Sequence, residues 1–248
     1  MVTVASVVLN DFLPVTASIA IGVSCSGKVD GRKEHCVVYC IDMRIIAGSK
    51  RGMRLLSPKT RDSRPITDRV KESLFSVLYK YDLPGGAMVA DLFCGVGSLG
   101  LEALSRGAEF VTFVEQDSKI IATLNKNIEK AGFVGVSKVM RANAFAVGAP
   151  VVFESKMYGL VFVDPPYAMT ADVRAGSLLS KLLALLQQQV TEDAIVVVRT
   201  HRRISLLDEY GEFGTVERRQ WGTMAVTLLR KRSRGNVTDL SIEREDQK

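Results

Sequence analysis

The sequence predicts an α/β fold with a doubly wound, mostly parallel sheet, and two neighbouring patterns lead to this prediction. A short apolar run at residues 88–93 is followed at once by a glycine-rich turn at residues 94–100. A helical pattern closed by Gly107 then leads to a second apolar run at residues 110–114, which ends at Glu115. Strand, glycine turn, helix, strand and acid in this order predict a βαβ unit that binds a nucleoside-bearing cofactor.

The turn carries the glycine pattern Gly95-x-Gly97-x-x-Gly100. One glycine permits a sharp turn, and another permits the backbone to approach a ligand without an intervening Cβ. Glu115 follows Gly95 by twenty residues, a spacing that suits a carboxylate bound to ribose hydroxyls. Dinucleotide-binding proteins have the same glycine pattern, and a ribose occurs in dinucleotides as well as in other nucleoside-bearing cofactors. A nicotinamide oxidoreductase therefore stays open on the glycines and Glu115 alone.

Two further acids favour a different cofactor. Asp91 lies at the end of the first strand, where a carboxylate repels a pyrophosphate but binds an amino-acid ammonium group. Asp164 follows another buried run at residues 159–163 and opens the motif Asp164-Pro-Pro-Tyr167. With this motif the chain resembles S-adenosylmethionine-dependent amino-methyltransferases, whose [Asp/Asn]-Pro-Pro-[Tyr/Phe] sequence lies beside the transferable methyl group.

Length and composition are typical of a soluble protein with one globular domain and an appendage, or with two small domains. The chain has 248 residues, of which 47% are hydrophobic and 24% charged. Its formal net charge of +6 favours a polyanionic partner. Four cysteines do not form a disulfide scaffold at this length, so we expect a reducing, cytoplasmic location.

The sequence divides into four segments. Residues 1–42 have no basic residue before Lys28 and no apolar run of membrane-spanning length, which argues against a signal peptide and a membrane anchor. We interpret them as a poorly ordered extension or the result of an upstream start codon, with Met43 opening the working protein. The predicted segments that follow are a basic hairpin and helix (43–87), a methyltransferase domain (88–232) and a polar tail (233–248).

Positive charge is concentrated after residue 43. The runs 44–47 and 53–56 flank a glycine-bounded loop and predict a β-hairpin. Nine basic and two acidic residues lie between Arg44 and Lys71, which is the charge density of a nucleic-acid-binding surface. We expect the hairpin beside the carboxyl ends of the strands. The residues predicted to contact RNA are Lys50, Arg51, Arg54, Arg64 and Arg69.

The remaining elements follow from periodicity and end signals. Thr67 can cap a helix from Asp68 to about Tyr81, and Asp117 or Ser118 can start a helix that ends before Gly132. Further patterns predict a strand at 136–140, a helix at 178–189, a strand at 194–199, and a closing antiparallel pair at 212–220 and 224–229 around Trp221-Gly222.

Three stretches resemble the RsmD family, the bacterial methyltransferases of the guanine 2-amino group in 16S rRNA. They are Arg44-Ile-Ile-Ala-Gly48, Arg64-Pro-Ile-Thr-Asp-Arg-Val-Lys-Glu-Ser-Leu-Phe75 and Asp91-Leu-Phe-Cys-Gly-Val-Gly-Ser-Leu-Gly-Leu-Glu-Ala-Leu-Ser-Arg-Gly-Ala108. The resemblance extends from about Met43 to about Lys231. Cys94 and Val96 stand where the family more often has Ala and Ser.

The resemblance implies a class I S-adenosylmethionine-dependent methyltransferase, with a Rossmann-like doubly wound sheet, an antiparallel last strand and a basic N-terminal β-hairpin. It implies S-adenosyl-L-methionine as cofactor and 16S rRNA, the small ribosomal subunit or an assembly intermediate as partner. We expect a monomer without a metal or a membrane. His35 and His201 are the only histidines, and we interpret His201 as a surface or RNA-contacting residue.

The predicted mechanism concerns an amino group whose lone pair is delocalised into the guanine ring. The Asp164 carboxylate and the Pro165 carbonyl can accept its two N–H hydrogens and localise the lone pair, and Tyr167 can stack on the base. These three are the predicted catalytic residues. The predicted cofactor-binding residues are Asp91, Phe93, Gly95, Gly97, Glu115, Asn143, Ala144 and Asp164.

Four other functions stay open. A DNA adenine-N6 methyltransferase uses the same motif but usually carries a sizeable target-recognition region, for which no insertion here is long enough. A protein glutamine methyltransferase normally has Asn in place of Asp164. A nicotinamide oxidoreductase would bind NAD, and a non-catalytic RNA-binding protein on this fold would tolerate the loss of Asp164.

Overall fold

A computed structural model describes residues 23–25, 28–29, 32–33, 36–38, 43–57, 66–154 and 156–232. The chain divides into two compact units, residues 1–42 and residues 43–248. In the first unit, β1 (Val23–Cys25) pairs antiparallel with β4 (Cys36–Val38), and β2 (Lys28–Val29) pairs antiparallel with β3 (Arg32–Lys33). The predictions for the tail at 233–248 and for Arg64 lie outside the described residues.

The described part of the second unit forms a sheet of eight strands in the order β10-β11-β12-β9-β8-β5-β6-β7. Pairing is parallel from β7 to β9 and antiparallel from β9 through β12 and β11 to β10. This confirms the doubly wound sheet with an antiparallel end. The strands are β5 (Met88–Leu92), β6 (Phe110–Glu115), β7 (Ser137–Arg141), β8 (Tyr158–Val163), β9 (Val190–His201), β10 (Glu209–Tyr210), β11 (Phe213–Trp221) and β12 (Met224–Lys231).

Helices cover both faces of the sheet. Alternate residues of the buried strands contribute to two apolar clusters, one beneath α1, α2 and α3 and the other beneath α4 and α5. From β5 the chain adds β6 and β7 on one side of the sheet and then β8 and β9 on the other, and doubly wound sheets bind ligands at such a switch point. The helices are α1 (Asp68–Leu78), α2 (Ser98–Ser105), α3 (Ser118–Ala131), α4 (Ala144–Val147) and α5 (Leu178–Leu186).

Local signals at the ends of these elements account for several confirmed boundaries. The Asp117 side chain accepts hydrogen bonds from the backbone N–H groups of Lys119 and Ile120, and α3 ends at Gly132 with φ of 72°. Thr67 occupies the N-cap position of α1 as predicted, but its side chain makes no capping hydrogen bond. The α-helix ends at Leu78, and a 3₁₀ turn (Tyr79–Tyr81) completes the predicted span.

The basic hairpin is confirmed as a tight turn with one antiparallel bridge, between Arg44 and Arg54. Its tip packs against the C-terminal end of α2, where the Ser49 N–H donates to the Ser105 carbonyl (2.7 Å). Gly48 has φ of +80°, and a Cβ there would lie 1.7 Å from that carbonyl oxygen, so only glycine permits this approach. The hairpin is therefore fixed to the helix that follows the glycine turn.

Glu102 is the buried carboxylate that joins the hairpin to α1 and α2. It is fully buried and accepts hydrogen bonds from the N–H groups of Ile46 (2.7 Å) and Ala47 (3.0 Å). It also pairs with Arg106 (2.7 Å) and with Lys71 (3.7 Å). Lys71, counted above with the basic surface, is 1% exposed and so does not contribute to it. Burial lowers the pKa of Lys71, and Glu102 opposes that effect.

We predict that Glu102→Ala lowers the free energy of unfolding by about 3–5 kcal/mol, because two buried cations and two backbone donors lose their acceptor. Chemical denaturation measures this loss. Glu129→Ala on the exposed face of α3 is the matched control and should change the stability by less than about 0.5 kcal/mol. Equal stabilities of the two variants would contradict the role given to Glu102.

Candidate functional site

A cavity of about 620 Å³ lies at the carboxyl ends of the parallel strands, beside β5. Its volume is within the range of small-molecule sites. The ends of four strands supply four of its charged side chains, which are Asp91 from β5, Glu115 from β6, Asp164 after β8 and Arg199 from β9. The parallel pairing of these strands thus brings together acids that lie far apart in the sequence.

Asp91 lies at the base of the cavity and is 1% exposed. Its carboxylate accepts a hydrogen bond from the Gly100 N–H in the first turn of α2 (2.8 Å). Burial raises the pKa of Asp91 to about 8, the Gly100 hydrogen bond opposes this rise, and the charges of Asp164 and Glu115 add to it. A positively charged group bound beside Asp91 would favour its ionised form.

Glu115 is half-buried at the end of β6 and connects two parts of the cavity wall. Its carboxylate accepts hydrogen bonds from the N–H of Gly95 (3.1 Å) and from those of Gln116 (2.8 Å) and Asp117 (3.0 Å). A carboxylate offers about four acceptor positions. The three backbone bonds therefore orient Glu115 and still leave capacity for a ligand hydroxyl.

The glycine turn lines the cavity with only some of its members. Gly95 lines it with φ of +55°, whereas Gly97 is buried against α3, and a Cβ there would lie 2.5 Å from Leu124. Ser98, which the sequence patterns did not single out, also lines the cavity. Its hydroxyl oxygen is buried and has no hydrogen-bond partner among the described residues. An unpaired buried hydroxyl at a cavity wall is what a polar ligand group satisfies.

Part of the apolar wall comes from the turn after β5 and from the start of α4. Phe93 lines the cavity with φ of 58° and packs against Phe145, with ring centroids 4.8 Å apart. Ala144 also lines the cavity. The structure does not place Asn143 on the cavity lining; its exposed side chain accepts from the Phe145 N–H and caps α4. Asn143 thus has a local structural role here.

The Asp164-Pro-Pro-Tyr167 segment forms the opposite wall. The Asp164 N–H donates to the Leu92 carbonyl (3.3 Å), which fixes the segment to the end of β5. Pro165 is buried, and none of the hydrogen bonds within the described residues ends on its carbonyl. Tyr167 begins a 3₁₀ turn (Tyr167–Thr170) and is half-buried. All four residues of the motif line the cavity.

Arg199 and His201 complete this wall, and the sequence reasoning missed them as site residues. The Arg199 guanidinium forms an ion pair with the Asp164 carboxylate and lies 5.9 Å from the centroid of the Tyr167 ring. His201, interpreted above as a surface or RNA-contacting residue, lines the cavity and packs edge-on against Tyr167 at 5.7 Å. The alternation of β9 was the only available signal, since it directs residues 199 and 201 to one face.

Burial raises the pKa of the Asp164 carboxyl, and the Arg199 guanidinium opposes that rise. Arginine side chains keep their positive charge in proteins. The ion pair therefore favours a carboxylate at Asp164 in a place where burial alone favours the acid.

The predicted RNA-contacting residues lie at different distances from the cavity. Met43 and Ser57, at the open ends of the hairpin, line it. Lys50 and Arg51 lie at the tip, where the Lys50 N–H donates to the Ser105 hydroxyl (2.9 Å). Since α2 begins in the cavity and ends at Ser105, the tip is roughly 12 Å away along the helix. Arg54 and Arg69 are exposed.

Among the residues that the structure describes, no group of three or more His, Cys, Asp or Glu side chains is arranged to hold a metal ion. None of the described helices is long and apolar enough to cross a bilayer.

The chain matches the family described as conserved hypothetical protein 95 over residues 43–230. It is 32% identical over 195 residues to ribosomal RNA small subunit methyltransferase D of Escherichia coli (strain K12), covering 78% of this chain and 92% of that protein. It is 35% identical over 193 residues to YlbH of Bacillus subtilis (strain 168), provisionally described as an rRNA methyltransferase, covering 77% of this chain and all of that protein.

Solved structures similar to this chain include proteins described as methyltransferases. An Escherichia coli protein provisionally described as a methyltransferase, yhhF, has a TM-score of 0.63 at 31% identity and covers 77% of this chain and 98% of its own. The rRNA methyltransferase aviRa of Streptomyces viridochromogenes has a TM-score of 0.54 at 16% identity and covers 69% and 87%. The second likeness concerns the fold alone.

We predict that Arg199→Gln raises the pKa of Asp164 further, because burial then acts without an opposing charge. The measurement is an NMR titration of ¹³C-labelled aspartate carboxyls. Arg199→Lys should hold the pKa of Asp164 down in part. Arg202→Gln removes an exposed neighbouring charge and should leave the pKa of Asp164 unchanged. An unchanged Asp164 midpoint in Arg199→Gln would contradict the electrostatic role of the pair.

Proposed function

The chain belongs to the family described as conserved hypothetical protein 95, the RsmD family of the resemblance above, and we propose that it methylates the exocyclic 2-amino group of a guanine in 16S rRNA, with S-adenosylmethionine as methyl donor. One observation carries the proposal: a single cavity joins the acids Asp91 and Glu115 to the Asp164-Pro-Pro-Tyr167 wall. The first pair suits an amino acid attached to a nucleoside, and the second wall suits a planar amino group.

The residues present fit this cofactor. Asp91 supplies a carboxylate for the ammonium group, and Glu115 supplies acceptor positions for ribose hydroxyls. The unpaired Ser98 hydroxyl offers a hydrogen bond to the amino-acid end. Phe93 and Ala144 supply an apolar wall for the adenine. When bound, S-adenosylmethionine supplies an electrophilic methyl group.

The opposite wall activates the amino group of the substrate. Arg199 occupies one Asp164 oxygen, and a carboxylate with about four acceptor positions can accept an N–H hydrogen as well. The Pro165 carbonyl accepts the second N–H hydrogen, and the two bonds together localise the nitrogen lone pair. The prolines hold both acceptors in place before the substrate arrives. After transfer, the surplus proton on nitrogen passes to the Asp164 carboxylate or to water.

Tyr167 supplies the stacking surface for a guanine that has left its own stack. Arg199 and His201 pack against the Tyr167 ring and so hold it in one orientation. The partner is 16S rRNA, the small ribosomal subunit or an assembly intermediate, and the protein acts as a cytoplasmic monomer.

Transfer of label from S-adenosylmethionine to rRNA and to small-subunit particles, both from a strain without the enzyme, tests this proposal. Nucleoside analysis should place the label in N2-methylguanosine, and the preferred substrate identifies the assembly state. Label in N6-methyladenine or only in protein would leave the cofactor and overturn the substrate. Absence of any label, with cofactor binding demonstrated, would favour a non-catalytic RNA-binding role.

We predict that Asp164→Asn lowers kcat by about 10²–10³-fold, because one acceptor in the wall becomes a donor. The dissociation constant for S-adenosylmethionine, measured by calorimetry, should change by less than about threefold. Asp172→Asn is the matched control, since Asp172 is an exposed acid eight residues further along the chain. Near wild-type turnover in Asp164→Asn would contradict the proposed mechanism.

We also predict that the affinity for S-adenosylmethionine rises with pH up to about 8. Asp91 has a pKa of about 8 in the free protein, so below this pH it is protonated and must lose a proton to bind the ammonium group. The proton is therefore released on binding, and the affinity rises by up to about tenfold per pH unit. Calorimetry in buffers of different ionisation enthalpy measures the release. Asp91→Asn should weaken binding and flatten the pH profile, and proton uptake in the wild type would contradict the assignment.

A further inference from the structure

A second basic surface lies at the mouth of the cavity, on the loop between β9 and β10. His201 lines the cavity, and Arg202 and Arg203 follow it directly with exposed side chains. No acid occurs among residues 199–207. No carboxylate of the described residues forms an ion pair with Arg202 or Arg203. The Arg202 guanidinium donates to the Gly222 carbonyl (3.3 Å), which leaves its other N–H groups for a ligand.

Several hydrogen bonds hold this loop against the neighbouring strands. The Arg202 N–H donates to the carbonyl of Thr223, another cavity residue (2.8 Å). The Arg203 N–H donates to the His201 ring (3.3 Å). Arg218 on β11 donates to the carbonyls of Arg202 (2.8 Å) and Ile204 (3.1 Å). The backbone that presents the two guanidinium groups is therefore fixed to the wall that contains Arg199 and His201.

We propose that Arg202 and Arg203 form a phosphate-binding rim that holds the RNA backbone next to the nucleotide in the cavity. The proposal rests on the proposed function. Adjacent exposed guanidinium groups bind phosphates bidentately and remain charged at any physiological pH. A nucleotide whose base reaches the Asp164 wall must have its sugar-phosphate backbone at the cavity mouth, which is where this loop lies.

The rim differs in position from the basic hairpin. The hairpin tip is bound to the last residue of α2, and its basic side chains Lys50 and Arg51 lie beyond the opposite end of that helix from the cavity. Contacts at the tip can add affinity for a large RNA, but they do not reach the backbone beside the target nucleotide. The rim thus holds the RNA backbone beside the target nucleotide, whereas the hairpin tip binds RNA further away.

The test compares the double variant R202Q/R203Q with wild type for binding to a 16S rRNA fragment at several salt concentrations and for methyl transfer. We expect about a tenfold or greater loss of RNA affinity and a salt slope lower by about 0.7 for each phosphate contact removed. KM for RNA should rise, while kcat at saturating RNA and the affinity for S-adenosylmethionine stay unchanged. R202K/R203K should retain most of the affinity.

The matched control is R230Q/R232Q, which removes two exposed charges at the other end of β12 and should leave RNA affinity within about twofold of wild type. Wild-type RNA binding and KM in R202Q/R203Q, alongside normal methylation of RNA by the wild type, would overturn the rim alone. A loss in K50Q/R51Q without one in R202Q/R203Q would overturn it in favour of the hairpin. Failure of the wild type to bind or methylate any RNA would overturn the proposed function as well. If R202Q/R203Q binds RNA normally but no longer binds an acidic protein, the partner of the rim is that protein and not RNA.

Discussion

The site depends on one electrostatic constraint: adjacent parallel strands end with acids that face the same cavity. Asp91, Glu115 and Asp164 come from β5, β6 and β8, and Arg199 is the basic side chain paired with one of them. Like charges in a partly buried site disfavour ionisation. The raised pKa of Asp91 reflects burial first, with Asp164 and Glu115 adding to it. A ligand that carries positive charge relieves this repulsion, whereas the pyrophosphate of a dinucleotide increases it.

A second constraint connects the cavity to the outer surface of the domain. Helix α2 begins at Ser98 in the cavity wall, and the Gly100 N–H in its first turn binds Asp91. A Cβ at Gly100 would lie 2.3 Å from the Phe113 ring, so the helix packs on β6 as closely as glycine permits. Glu102, half a turn further, binds the backbone of the hairpin. The short helix thus fixes a cavity acid and the hairpin at once.

Much of the fold follows from local signals, because the residues that decide each boundary are close in sequence. Asp117 and Gly132 bound α3 through their own side chain and backbone, and the βαβ unit follows from one stretch of chain. The strand ends also predicted most of the cavity, because the carboxyl ends of parallel strands share an edge.

The errors concern side chains whose role depends on distant partners. In the sequence, Lys71 looks like an ordinary surface lysine. In the structure it is buried, because it pairs with the buried Glu102 of another helix. Arg199 and His201 join the site because β9 pairs with β8. Asn143 caps α4, and its predicted contact with the cofactor stays a prediction. The hairpin itself was predictable, but its position required the contact between Gly48 and Ser105, which no local pattern contains.

The proposed mechanism places two opposing requirements on Asp164, and the residues around it address both. To accept an N–H hydrogen it must be ionised, and Arg199 favours that form. To take up a proton afterwards it must be more basic than an exposed aspartate, and burial raises its pKa in that direction. An arginine neighbour does not compete for the proton, since a guanidinium stays charged in proteins. A buried acid with a permanently charged neighbour can therefore act first as acceptor and then as base, which neither an exposed aspartate nor an unpaired buried one does equally well.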